Sequence, residues 1–168
     1  MTSGRKIAFL GILLGVMLVL SLAEGMLPPI LPPFGRIGLP NIIILYCLQC
    51  VGSREAGMMV LLKAGFAFIT RGAVAATLSL CGGLLAFGCL LLLLLLTKKR
   101  ASLVALGVIG AVAHNIGQLA AFSLWANTNV FPAYLPVMLI TGVLTGFATG
   151  TVFRLTLPFL QRLGILSR

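Results

Sequence analysis

Acidic side chains are nearly absent from this chain of 168 residues: Glu24 and Glu55 are the only two, and there is no aspartate. Without aspartate no Ser-His-Asp triad can be assembled. Two carboxylates are also too few for the multi-carboxylate Mg²⁺ site that usually holds a diphosphate. His114 is the only histidine, so a metal centre lacks ligands and none is expected. Charged residues of both signs make up 8% of the chain, against roughly a quarter in an ordinary soluble domain. Disordered, collagen-like and disulfide-scaffold classes are excluded by the same composition. The four cysteines, Cys47, Cys50, Cys81 and Cys89, lie inside apolar runs and read as small buried hydrophobes. Cys47-Leu48-Gln49-Cys50 has the C-x-x-C form, but Cys81 and Cys89 do not supply a second pair at metal-site spacing. No Gly-x-x-x-x-Gly-Lys-Ser/Thr motif occurs, so any ATP hydrolysis would belong to another chain.

What the chain does have is hydrophobicity, 60% of its residues. The apolar runs divide into six spans, at about 7–23, 41–51, 56–70, 72–96, 102–126 and 134–157, within one polytopic membrane domain covering residues 1–168. A helical crossing takes about 20 residues, so spans two and three are short and are expected to be tilted, broken or shielded by protein. The uncharged stretch from Ala101 to Phe153 is too long for one helix. It is divided at Asn127-Thr128-Asn129-Val130-Phe131-Pro132 by turn-forming residues. The fold class is therefore an all-α integral membrane protein, a bundle of six transmembrane helices.

The net charge of +10 fits loops held at an anionic membrane surface rather than a nucleic-acid interface. With a cytoplasmic N-terminus, the inner side holds Arg5, Lys6, Arg54, Lys98, Lys99, Arg100, Arg154, Arg162 and Arg168, and the outer side Arg36 and Arg71. That asymmetry predicts cytoplasmic N- and C-termini in the plasma membrane. A cleaved signal peptide is the competing reading of residues 1–25. Against it stand the length of the apolar run and the small-xxx-small pair Gly11 and Gly15, suited to close helix packing.

The polar residues inside these spans are the candidates for function. Lys63 lies near mid-membrane, where a charge calls for a partner or a wet cavity. Lys63, Thr70 and Arg71 share a face by the 3.6-residue period, giving a basic stripe that suits an anionic group; snorkelling or internal pairing is the alternative. In span five His114 and Gln118 share a face, with Asn115 beside them, and Phe122 and Trp125 continue it toward the outer surface. Such a stripe suits a ligand with an apolar or flat body and a few hydrogen-bonding atoms; an interhelical hydrogen-bond cluster is the competing reading. Asn41, Tyr46 and Gln49 could add a polar wall. The segment Pro28 to Pro40 holds five prolines and reads as a stiff connector or a lid over an outward-facing cavity. In span six Gly142, Gly146 and Gly150, four residues apart, make a flat groove for close helix packing.

Three segments carry a family resemblance: Pro28-Pro29 through Pro40-Asn41, Gly52-Ser53-Arg54-Glu55-Ala56, and Gly-x-x-x-His-Asn-x-Gly-Gln from Gly110 to Gln118. Together they resemble the bacterial Gx transporter family, also labelled heptaprenyl diphosphate synthase component I. That family is similar in size, helix count and topology to the substrate-binding S components of energy-coupling factor transporters. The resemblance implies a substrate-binding membrane subunit without enzymatic activity or cofactor. Its solute would be a small, vitamin-, flavin- or isoprenoid-like organic molecule, in some cases anionic; the polar and aromatic stripes described above, read from the residues themselves, would bind it at Lys63, Arg71, His114, Asn115, Gln118, Phe122, Trp125 and Asn41. It also implies a transmembrane T component with cytoplasmic ATPases as partners, met by the small residues Ala8, Gly11 and Gly15. The alternative is a non-catalytic membrane partner of a prenyl-diphosphate, quinone-linked or redox complex. The absence of clustered aspartates argues against prenyl chain elongation by the chain itself.

Overall fold

The computed structural model describes residues 3–26, 38–98 and 100–162. The lid expectation for Pro28 to Pro33 and Arg36 falls outside them. Among the described residues all regular structure is helical, as a bilayer demands of a chain that must satisfy its own backbone groups. Four helices are long and apolar enough to cross a membrane: α1 (Ser3–Met26), α3 (Ser53–Leu96), α4 (Leu103–Trp125) and α5 (Phe131–Arg162).

In α1 the buried residues Leu13, Met17, Ser21 and Glu24 recur every three or four positions and make one stripe. Ile7, Ile12, Val16, Val19 and Leu22 cover the rest of the helix and are exposed, as expected of side chains that face lipid. The helix is tied by polar contacts at both ends. Lys6 Nζ forms an ion pair with Glu55. At the other end Arg71 Nη2 donates to Ser21 Oγ at 3.2 Å, and the Gly38 amide donates to Glu24 Oε1.

Helix α2 (Asn41–Tyr46) continues into a wider π-turn at Cys47–Val51. At about 1.5 Å per residue these 11 residues extend about 16 Å, half of the hydrocarbon thickness. The expected second span is thus a short core element rather than a full crossing. Every residue from Ile43 to Leu48 is buried, which accounts for its unbroken apolar sequence. Tyr46 sits edge-on to Phe9 of α1 and Phe153 of α5, with ring centroids 6.1 Å apart in both pairs.

The 44-residue helix α3 is interrupted at Gly72, whose φ of 84° and ψ of −178° lie outside the helical region. That combination is essentially restricted to glycine. Two contacts show what the interruption does. A Cβ on Gly83 would lie 2.8 Å from Val60 Cγ1, and one on Gly57 would lie 3.7 Å from Phe87 Cζ. Residues before and after Gly72 therefore run antiparallel as two arms of a hairpin. The first arm buries Ala56, Met59, Val60, Lys63, Ala64 and Ala67, the second Ser79, Gly82, Gly83, Ala86, Leu90 and Leu94. Both are stripes of helical period, and Lys63 sits within the first.

Helix α4 starts at the N-cap Ser102, whose Oγ accepts from the Ala105 amide at 3.1 Å. A turn through Asn127, at φ 49°, leads into α5. The two helices meet backbone to backbone. A Cβ on Gly146 would lie 2.5 Å from Val108 Cα, one on Gly150 2.8 Å from Val104 Cα, and one on Gly142 3.1 Å from Val112 Cα. Gly107 answers from α4, with the Gly146 carbonyl 2.4 Å from where its Cβ would be.

Candidate functional site

Among the described residues, helices α1 to α5 line a partly open cavity of about 350 Å³. Its wall runs along α3 from Val74 to Leu90 and along α4 from Leu106 to Gln118. The sixteen helical rises from Val74 to Leu90 correspond to about 24 Å, so the cavity is long relative to its volume. Near the hairpin turn it is ringed by Ser21, Glu24, Gly38 and Arg71; at mid-depth it meets Asn41, Lys63, Ser79, His114, Asn115 and Gln118; its far end is formed by Ala86, Leu90, Leu106 and Gly107.

Each polar group is placed by a local feature of its helix. Lys63 lies in the buried stripe of the first α3 arm, so its chain turns inward, and Nζ donates to Asn41 Oδ1 at 2.6 Å. Asn41 is the first residue of α2, and its backbone N–H donates to the Gly38 carbonyl at 2.9 Å. His114 and Gln118 are brought to the wall by close approach of α4 to the second α3 arm. At Gly82 a Cβ would lie 2.8 Å from His114 Nδ1 and 2.9 Å from Gln118 Cγ; at Gly117 it would lie 2.8 Å from the Cys81 carbonyl. Any larger residue at either position would push the helices apart. Asn115 faces α5, and its Nδ2 donates to the Met138 carbonyl at 3.0 Å. Thr145 and Thr149 line the α5 side. Their hydroxyls bond carbonyls of their own helix, Thr141 at 2.8 Å and Gly146 at 3.2 Å.

Of the residues singled out from sequence, Lys63, Arg71, His114, Asn115, Gln118 and Asn41 all border this cavity. Phe122 and Trp125 do not: the cavity wall on α4 stops at Gln118. Trp125, 57% exposed, ends the helix. One further turn carries that face past the cavity mouth, to the level where tryptophan commonly meets the membrane interface. Gly142, Gly146 and Gly150 face α4, whereas a Cβ at Gly11 or Gly15 would meet nothing within 4 Å, and Ala8 is exposed. Ser21, Glu24 and Ser79 also line the cavity and were not expected from sequence. The scarcity of acids could have pointed to Glu24. Ser79 is one hydroxyl in a long apolar run and carries no such signal.

The arrangement combines two cations, one carboxylate, three side-chain amides and one imidazole within a helix bundle. It can bind and orient a small solute. Among the described residues no group of three His, Cys, Asp or Glu side chains is placed to hold a metal ion. No curated protein and no solved structure matches the chain. Residues 13–156 match the family described as heptaprenyl diphosphate synthase component I, and since the match spans most of its length, the chain belongs to that family.

Proposed function

We propose that this protein is a non-catalytic membrane subunit that binds a small organic solute in its internal cavity and works within a transport complex of the energy-coupling-factor kind. The cavity itself carries the reading. It holds Lys63, Arg71, Asn41, His114 and Gln118 on one wall system inside a lipid-facing bundle. Buried polar groups in a membrane interior are costly and mark ligand or ion pathways. In this reading α1, the two α3 arms, α4 and α5 cross the plasma membrane in full, and α2 with its π-turn brings the chain only part of the way back between α1 and α3. Both termini are cytoplasmic, and Arg71 and Asn127 are on the outside. Ala8, Gly11 and Gly15, open along α1, would meet the T component, and separate ATPases would supply the energy.

The family description favours a second reading, a non-catalytic membrane partner of a prenyl-diphosphate synthase. Gentle purification of the tagged protein from its own membranes separates the two. The transport reading expects a membrane T component, ATPases and a retained small molecule. A prenyl-diphosphate synthase subunit accompanying an empty protein would replace it with the second.

A further inference from the structure

The cavity mouth beside the hairpin turn carries two side chains of opposite charge, Glu24 on α1 and Arg71 on α3. Ser21 and Glu24 are three residues apart in sequence and share one face of α1. Arg71 reaches that face, since its Nη2 donates to Ser21 Oγ at 3.2 Å. Its guanidinium therefore stands about one helical turn from the Glu24 carboxylate. Among the described residues the two are nevertheless not ion-paired with each other. Each is held by a neutral partner instead. Glu24 accepts from the Gly38 amide through Oε1, and Arg71 spends one of its several N–H donors on Ser21. Glu24 Oε2 accepts no bond among the described residues. It is also not one of the fully buried side-chain atoms that lack a partner, so it keeps accessible surface on a residue that lines the cavity.

Charged side chains inside a helix bundle call for opposite charge. An anion at this mouth would be attracted by Arg71 and repelled by Glu24. A cation would meet the reverse, and a neutral solute would leave both charges unanswered. A solute with a carboxylate and an ammonium on neighbouring atoms answers both at once. The guanidinium can donate a forked pair of bonds to the carboxylate, and the ammonium can donate to Oε2. Beyond the mouth, Val74 and Leu78 follow Gly72 within two helical turns and line the wall, so the body of the solute first meets an apolar surface. The volume of about 350 Å³ is near the lower end of the range of about 300–1,000 Å³ found for drug-sized ligands, which suits a small molecule.

We infer that the cavity takes a free α-amino acid or a close zwitterionic analogue, its carboxylate on Arg71, its ammonium on Glu24 and its side chain directed inward past Val74 and Leu78. This rests on the solute-binding reading above and names its substrate class.

The test uses the full chain in phosphatidylglycerol nanodiscs, which hold no zwitterionic lipid. Native mass spectrometry identifies retained solute, and thermal unfolding is followed with each protein-forming amino acid in turn. An amino acid should raise the melting temperature, and neither its methyl ester nor its deaminated acid should do so. Glu24→Gln keeps an oxygen for the Gly38 amide and removes the charge. The unliganded melt should therefore hold, while affinity for that amino acid falls about tenfold, the loss of one hydrogen bond to a charged group. Arg71→Gln should weaken the same amino acid, and Glu55→Gln, at the far end of α1, should not. A retained solute lacking either charge, or binding that ignores Glu24→Gln, overturns the zwitterion assignment and leaves solute binding standing. A retained aminophospholipid overturns it in favour of a lipid headgroup. If no amino acid acts and no solute is retained, a co-purifying T component with ATPases overturns the zwitterion alone, and a prenyl-diphosphate synthase subunit overturns both.

Discussion

Lys63 is the residue on which the cavity and the bundle place opposite demands. A lysine ammonium in a buried stripe costs stability, and Asn41 Oδ1 at 2.6 Å offsets part of that cost. Breaking a buried charge's pairing is worse than removing the charge. Asn41→Leu should therefore lower stability by about 1–3 kcal/mol, whereas Lys63→Met should leave the melting temperature unchanged or raise it; thermal unfolding in detergent compares them. The site's polar residues were legible because polarity is rare in this chain, so each amide, imidazole or ammonium inside a span stands out. Glu24 was harder to read, because at the end of an apolar run an acid looks like a boundary. The cavity wall stops short of Phe122 and Trp125 for a geometric reason: helical period fixes the face of a residue but not where along that face a cavity ends.

The elements are governed by glycines that act in two different ways. Gly72 allows a backbone conformation that turns one helical run back on itself. Gly107, Gly146 and Gly150 instead remove side chains so that α4 and α5 can touch. The hairpin makes a direct prediction. The Cβ position of Gly83 lies 3.8 Å from Val60 Cβ, the mean separation in disulfides, about 3.8 Å. In a variant lacking the four native cysteines, Val60→Cys with Gly83→Cys should cross-link under mild oxidation, and proteolysis near Gly72 should then leave the halves joined. At the α4–α5 contact, Gly146→Val must displace the Val108 backbone, and the overpacking should cost about 1–3 kcal/mol. Gly11→Ala, in open space, should leave the melt unchanged. The four-residue spacing of Gly142, Gly146 and Gly150 was readable in sequence. The π-turn at Cys47–Val51 was not, since an unbroken apolar run carries no sign of a change in helical hydrogen-bond spacing.

At the scale of the whole molecule, helical character and membrane embedding followed from hydropathy alone, because a run of apolar residues has few other soluble or membrane-spanning fates. The shape of the crossings did not. Hydropathy marks apolar length, and α2 is apolar because protein surrounds it, not because it traverses lipid. The proposed arrangement in the membrane can be checked with single cysteines and an impermeant thiol reagent on right-side-out vesicles. Arg71→Cys and Asn127→Cys should be labelled from outside. Arg5→Cys, Lys98→Cys and Arg154→Cys should be labelled only after permeabilisation.

The ties at the two ends of α1 bear on how the protein tolerates mutation. Its only two acidic residues, Glu24 and Glu55, are both engaged in holding that helix to the remaining bundle, Glu24 through Gly38 and Glu55 through Lys6. Loss of Lys6 opens the same pair as loss of Glu55, whereas at the Glu24 end the bond from Arg71 to Ser21 remains if the carboxylate is removed. The two ends of the first helix thus differ in redundancy: one is fastened by an ion pair that either partner's loss opens, the other by two contacts that can fail one at a time.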